Sequence, residues 1–210
     1  MFITCSTWVI HFTASMRITG GRARGIQLQS PATDQTRPAT DYLREALFSS
    51  LGQVVAATRV LDLYAGTGAY GLEALSRGAQ HTTFVEKNRS VHKCLKENIC
   101  RVCKSLGITD PSLHTQTLHT DALKWTNPSG VGYDLIIADP PYPLLAKHSV
   151  TIIRHALSLL SQAPHSVLVL EAPGEFTIES LPAKFRIKKR IAKHQHQPSA
   201  ILIESSDEDA

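Results

Sequence analysis

The sequence lacks several features that would each have fixed a class. No apolar run approaches the ~20 residues a membrane span requires, and the first fifteen residues, MFITCSTWVIHFTAS, contain no Lys or Arg. A secretory leader starts basic, so a cytoplasmic protein is expected. Residues 1–15 read as an extension, with regular patterning starting after Met16. Only four cysteines occur in 210 residues, too few and too irregular for a disulfide framework. The ten histidines include no H-E-x-x-H. Cys100 and Cys103 form a C-x-x-C near Cys94, but helical spacing turns the three thiols to different sides, which no tetrahedral site tolerates. No metal is expected. There are no internal repeats.

Charge is unevenly spread. The net charge is +4, but the last seven residues, ESSDEDA, hold Glu204, Asp207, Glu208 and Asp209, and the rest of the chain carries +8. The basic residues gather as Arg17, Arg22, Arg24, Arg37 and Arg44 near one end and Lys184, Arg186, Lys188, Lys189, Arg190 and Lys193 near the other. Two basic ends around a neutral middle suit a polyanion. Arg17, Arg22, Arg24, Lys188, Lys189 and Arg190 are the candidate nucleic-acid contacts. A solvated charged surface is the competing explanation.

From residue 59 on, short apolar runs alternate with helical stretches. Strands are predicted at 59–63 (RVLDL), 82–86 (TTFVE), 114–121, 133–139 (YDLIIAD), 166–171 (SVLVLE), 185–190 and 200–204, the last two as an antiparallel hairpin. Helices are predicted at 70–77, over Val91 to Leu106 with closure at Gly107, and around 150–160. Such alternation predicts an α/β fold with a mostly parallel, doubly wound seven-stranded sheet. Ahead of it, RITGGRARGIQL at 17–28 suggests a small hairpin, and 40–51 a helix capped by Thr40 with Leu43, Leu47 and Leu51 on one face. The expected organisation is an extension at 1–15, a hairpin and helix at 16–52 acting as a lid, the main domain at 53–204 and a disordered acidic tail at 205–210.

Two motifs carry chemistry. Asp62-Leu63-Tyr64-Ala65-Gly66-Thr67-Gly68-Ala69-Tyr70-Gly71 runs from a strand through a Gly-rich turn into a helix. Gly66 and Gly68 would let a ligand touch the backbone. Glu86, eighteen residues beyond Gly68, ends the next strand, where a carboxylate accepts from both hydroxyls of a ribose. Asp121, ending the third strand, is placed to accept from an adenine amino group. Gly66, Gly68 and Gly71 also satisfy G-x-G-x-x-G, so a nicotinamide dehydrogenase stays open.

The second motif, Asp139-Pro140-Pro141-Tyr142, follows a buried strand. Its two prolines remove two N–H donors, which leaves the Asp139 carboxylate and the Pro140 carbonyl as acceptors for the two hydrogens of an exocyclic amine. Tyr142 offers a face for a base to stack on. Hydride and phosphate sites call for donors here. The pair of motifs fits methyl transfer from a sulfonium to an amine in line, without a covalent intermediate, Asp139 orienting the nitrogen and balancing its developing charge. Alternatives are adenine or cytosine in DNA, a glutamine amide, and an RNA-binding module without catalysis.

The segments RITGGRARGIQL, TRPATDYLREALFSSL, VLDLYAGTGAYGLEALSRGA, FVEKN, TDAL and IIADPPY follow one another as in the bacterial 16S ribosomal RNA guanine-N2 methyltransferases of the RsmD type, which this chain resembles over roughly residues 16–172. The resemblance implies a Rossmann-like class I fold dependent on S-adenosylmethionine. It implies cofactor contacts at Asp62, Tyr64, Ala65, Gly66, Gly68, Glu86, Asp121 and Ala122, with Arg37 to Thr40 closing over them. Target chemistry would lie at Asp139, Pro140, Pro141 and Tyr142. The implied substrate is the N2 of a guanine, numbered 966, in 16S RNA of an assembled or assembling small subunit, met by a monomer. Residues His194 to Gln197 depart from the family pattern.

Overall fold

The structure, a computed structural model, describes residues 16–30, 41–194 and 196–206. Its elements are α1 (Asp41–Leu51), β1 (Arg59–Leu63), α2 (Ala69–Ser76), β2 (His81–Val85), α3 (Arg89–Leu106), β3 (Thr115–Leu118), β4 (Leu135–Ala138), α4 (Tyr142–Ser158), β5 (Val167–Ala172), β6 (Phe185–Ala192) and β7 (Ser199–Ser205). The strands form one sheet in the order β3-β2-β1-β4-β5-β7-β6. The first five are parallel, while β7 runs antiparallel to both β5 and β6. The expected α/β sheet with a C-terminal hairpin is therefore present.

Strand side chains alternate between two packed faces, the period of two that a sheet imposes. Leu61, Leu63, Ile136, Leu168, Leu170, Ile201 and Ile203 meet α4 on one face. Val60, Leu135, Ile137, Val167, Val169 and Leu202 meet α1 and α2 on the other. Thus α1 belongs to the core, where Leu43, Leu47 and Phe48 are buried. The segment before it packs beside α2 and α3 through Met16, Ile18, Ala23 and Leu28. That segment closes on the single bridge Arg17–Gln27, so the expected hairpin is only a minimal one. Glu73, fully buried in α2, holds it by accepting from the Thr19 amide at 2.7 Å and the Thr19 hydroxyl at 2.9 Å.

Several boundaries move. The third strand stops at Leu118, and Asp121 lies in the turn beyond it. Helix α4 begins at Tyr142, eight residues ahead of the expected start: Pro141 is its N-cap, with a carbonyl that accepts from Leu144 and Leu145 at 2.8 and 3.0 Å, Pro143 sits in the first turn where it loses no helix bond, and a kink at His148 separates this entry from the expected stretch. Strand β7 runs through Ser205, one residue into the expected tail, and Glu204 pairs with Arg186 and Lys188. Thr40, expected to cap α1, lies outside the described residues, as does the tail from Asp207. Among the described residues no helix is long and apolar enough to cross a membrane.

Candidate active site at the carboxyl edge of the sheet

Strands β1 and β4 are parallel neighbours with Leu63 opposite Ala138. Their carboxyl ends therefore open on one edge, where the Asp139 amide donates to the Leu63 carbonyl at 3.3 Å. The Gly-rich turn and Asp139-Pro140-Pro141-Tyr142 are thus side by side, at the edge where ligands bind in such sheets.

The turn is built by strain and bracing. Tyr64 has φ +63, a left-handed conformation uncommon for a bulky residue, so the chain swings sharply out of β1. Its hydroxyl is buried without a hydrogen-bond partner among the described residues, and burial beside the Asp121 charge pushes it up to about 12. The three glycines differ. A Cβ on Gly66 (φ +55) would meet nothing nearer than the Tyr64 carbonyl at 3.9 Å, so this turn has an open face. On Gly68 it would strike Leu95 Cδ1 at 2.4 Å, and on Gly71 Phe84 Cε1 at 2.3 Å. At Gly71 the missing side chain makes room for packing, and at Gly68 it both makes room for Leu95 and allows φ +85.

Carboxylates hold the turn from behind. Asp62 Oδ2 accepts from the Gly71 amide at 2.8 Å, and burial raises this carboxyl to about 8. Asp62 thus ties strand to helix. Glu86 accepts from the Gly66 amide at 3.0 Å and from the Asn88 amide at 2.6 Å, one bond per oxygen. Each oxygen keeps capacity for one hydroxyl donor. Asp121 Oδ1 takes the Leu123 amide at 3.0 Å, and Ala122 is buried beneath it. A nucleoside-bearing cofactor fits this donor set: an open glycine, a carboxylate with spare lone pairs at the next strand end, and an orphaned tyrosine hydroxyl.

At the neighbouring strand end Pro140 is buried, Pro141 exposed, and Asp139 and Tyr142 half-buried. The α4 ladder starts at the Pro141 carbonyl and so does not consume that of Pro140. Burial, then Glu171, then Asp62 hold the Asp139 carboxyl well above the usual range.

The family model described as "Conserved hypothetical protein 95" matches residues 16–199. The chain belongs to this family. It is 29% identical over 178 residues to ribosomal RNA small subunit methyltransferase D of Escherichia coli K12, covering 84% of each chain. It is 35% identical over 130 residues to the putative rRNA methyltransferase YlbH of Bacillus subtilis, covering 60% of this chain and 67% of that one. The solved putative methyltransferase yhhF from Escherichia coli superposes with a TM-score of 0.74 at 27% identity, over 91% of this chain and 98% of that one. These relatives bear out the RsmD-type resemblance, and the fold is that of S-adenosylmethionine-dependent methyltransferases. The sheet itself departs from the dehydrogenase reading: a dinucleotide-binding sheet follows β5 with a parallel sixth strand, whereas here antiparallel β7 intervenes.

The six candidate nucleic-acid residues are not equivalent. Arg24 is exposed; Arg17 is exposed and paired with Asp41 at 3.2 Å; Arg22 donates to the Leu106 carbonyl at 3.2 Å. Lys188 pairs with Glu204 at 2.7 Å, and Lys189 donates to Ser50 at 3.2 Å. Arg190 donates to the carbonyls of Gly174 (2.7 Å) and Phe176, so it braces the loop after β5. Arg44, grouped with the basic cluster by sequence, is fully buried, its Nη2 donating to the Arg17 carbonyl and Asp41. Arg37 and Thr40 lie outside the described residues.

Two further groups stand out in the structure, the first named in the sequence without a place at this edge and the second given no role there. Ala192, Ser199 and Ala172 are register neighbours, so the β6–β7 turn carrying Lys193, His194 and His196 opens on the same carboxyl edge. Lys193 stands over the Tyr42 ring at 5.3 Å. The other group is Tyr70 and Glu171, whose hydroxyl and carboxylate meet at 2.5 Å. An acid ending a fully apolar strand beside the DPPY strand was the available signal for Glu171.

Proposed function

We propose that this chain transfers the methyl group of S-adenosylmethionine to the exocyclic N2 of a guanine in 16S ribosomal RNA of the small subunit. The observation that carries the reading is the adjacency of the braced Gly-rich turn and the acceptor-lined Asp139–Tyr142 corner on neighbouring strands, joined through Asp139 and Leu63. The names of the relatives support ribosomal RNA as the substrate, and the motif resemblance supports guanine N2.

In this reading Glu86 receives the ribose hydroxyls, Tyr64 and Asp121 flank the adenine side, and the open face of Gly66 gives backbone access. Bound S-adenosylmethionine supplies an electrophilic methyl group on a sulfonium. Asp139 and the Pro140 carbonyl accept the two amine hydrogens, which turns the nitrogen lone pair out of conjugation with its ring. Tyr142 stacks on the base. The Asp139 carboxylate then balances the positive charge on the nitrogen, and the methylated amine, now a strong acid, loses its proton without needing a strong base. Exposed Arg24 and Lys193 meet phosphate.

Asp139→Ala tests the assignment. Methyl transfer should fall by about 10²–10³-fold or more, while calorimetry with S-adenosylmethionine and a filter assay with small-subunit RNA show binding retained. Full activity in that variant would refute the role given to Asp139.

A further inference from the structure

Asp139 does not stand alone at the bottom of its corner. Ala138 lies opposite Leu170 in the parallel β4–β5 pair, so the next residues, Asp139 and Glu171, are register neighbours with side chains on the same face. Asp62 lies on this face too, since it pairs with Ile137 of β4. Among the described residues, Asp62 from β1, Glu171 from β5 and Tyr70 from α2 surround Asp139, and Arg44 from α1 faces Tyr70. Glu171 is only 4% exposed and Arg44 fully buried. Two buried carboxyls, Asp62 and Glu171, thus flank the half-buried Asp139. Neighbouring carboxyls that cannot both ionise cheaply share a proton and titrate as a pair.

Which member holds the proton follows from the hydrogen bonds. Tyr70 donates its hydroxyl to Glu171 Oε2 at 2.5 Å, and a donor at that oxygen favours the ionised form. The proton is then left with Asp139, the group that must be ionised to accept from an amine.

We infer that Glu171, clamped by Tyr70, is the positioning residue for Asp139: the two carboxyls share one proton, and Glu171 sets the pH below which the amine-orienting carboxylate is switched off. The role of Asp139 here rests on the methyl-transfer reading; the pairing rests on the geometry alone. Glu171 touches neither substrate nor cofactor.

The sign is fixed by the pair. Activity should fall as pH drops through a midpoint above the ordinary carboxylate range. Glu171→Gln removes the neighbouring charge, so its midpoint should move to lower pH by about one unit, roughly tenfold in rate on the acid limb. Tyr70→Phe removes the donor that stabilises ionised Glu171, so the shared proton passes more readily to Glu171 and the Asp139 midpoint should also move to lower pH. Glu171→Asp keeps the charge and should hold the midpoint near that of the unmodified chain. The experiment records methyl transfer to small-subunit RNA against pH for the four full-length chains, alongside the Asp139 carboxyl resonance in ¹³C-aspartate-labelled protein. A purely structural Glu171 would lower melting temperature and maximal rate while leaving both midpoints in place; that result, or a Tyr70→Phe midpoint that moves to higher pH while that of Glu171→Gln falls, overturns the inference. If the unmodified chain transfers no methyl group but its Asp139 resonance shifts with Glu171→Gln as described, the functional reading fails and the pair stands.

Discussion

At the scale of single residues, the edge of this sheet is a collection of carboxyls with different duties. Asp62 braces the Gly-rich turn through Gly71, Glu86 braces it through Gly66 while keeping spare lone pairs, and Asp139 is the carboxyl proposed to orient the amine. The duty of Asp62 has a measurable consequence. Burial raises its carboxyl to about 8, against a value near ~4 in an unfolded chain. Between those values the folded state retains a proton that the unfolded chain has released, so stability must fall as pH rises through that window. Asp62→Asn keeps an oxygen for the Gly71 amide and removes the charge. Melting temperatures from pH 5 to 9 should then decline less steeply in the variant, and parallel curves would contradict this account. Glu86 and Asp139 were legible in the sequence because each acid closes a recognisable apolar strand beside a turn signal. The Tyr70–Glu171 contact was not, since its partners are 101 residues apart and meet only because α2 packs over the face of the sheet that carries Glu171.

Elements explain why one motif does two jobs. In the turn from β1 to α2, Gly66 leaves an open face whereas Gly68 and Gly71 let α2 sit against Leu95 and Phe84. Gly71→Ala should cost about 1–3 kcal/mol by overpacking. Gly66→Ala should cost only about 1–2 kcal/mol from its left-handed φ yet weaken S-adenosylmethionine binding by more than its loss of stability implies. Thermal melts and calorimetry on both variants separate the cases; the reverse ranking would reject the distinction. The sequence showed a three-glycine pattern but not which glycine faces a neighbour, because that depends on side chains from β2 and α3. Strand β6 offers a second case. Its basic run read as one patch, but Arg190 is spent on two loop carbonyls and Lys188 on Glu204. Removing Lys189 and Lys193 together should lower the salt slope of RNA binding by about 0.7–0.9 for each phosphate they neutralise, whereas Arg190→Ala should chiefly lower the melting temperature. An unchanged slope in the double variant would remove this edge from the RNA surface.

The molecule as a whole places two chemistries on one line. Strand order, the parallel β1–β4 pair and the antiparallel β7 together put the cofactor turn, the acceptor corner and the basic β6–β7 turn along a single edge. The alternation of strands and helices made this fold class readable from the sequence, and the two motifs made the β1–β4 edge readable. The inward role of α1 was not, because an amphipathic helix ahead of a domain looks the same whether it covers a site or packs on the sheet. The account as a whole is tested most directly by incubating the chain with tritiated S-adenosylmethionine and small ribosomal subunits lacking its modification, followed by digestion to nucleosides. Label recovered in N2-methylguanosine from 16S RNA is the predicted result. Label recovered in an adenosine or a cytidine, or none recovered from either assembled subunits or naked RNA, would contradict it.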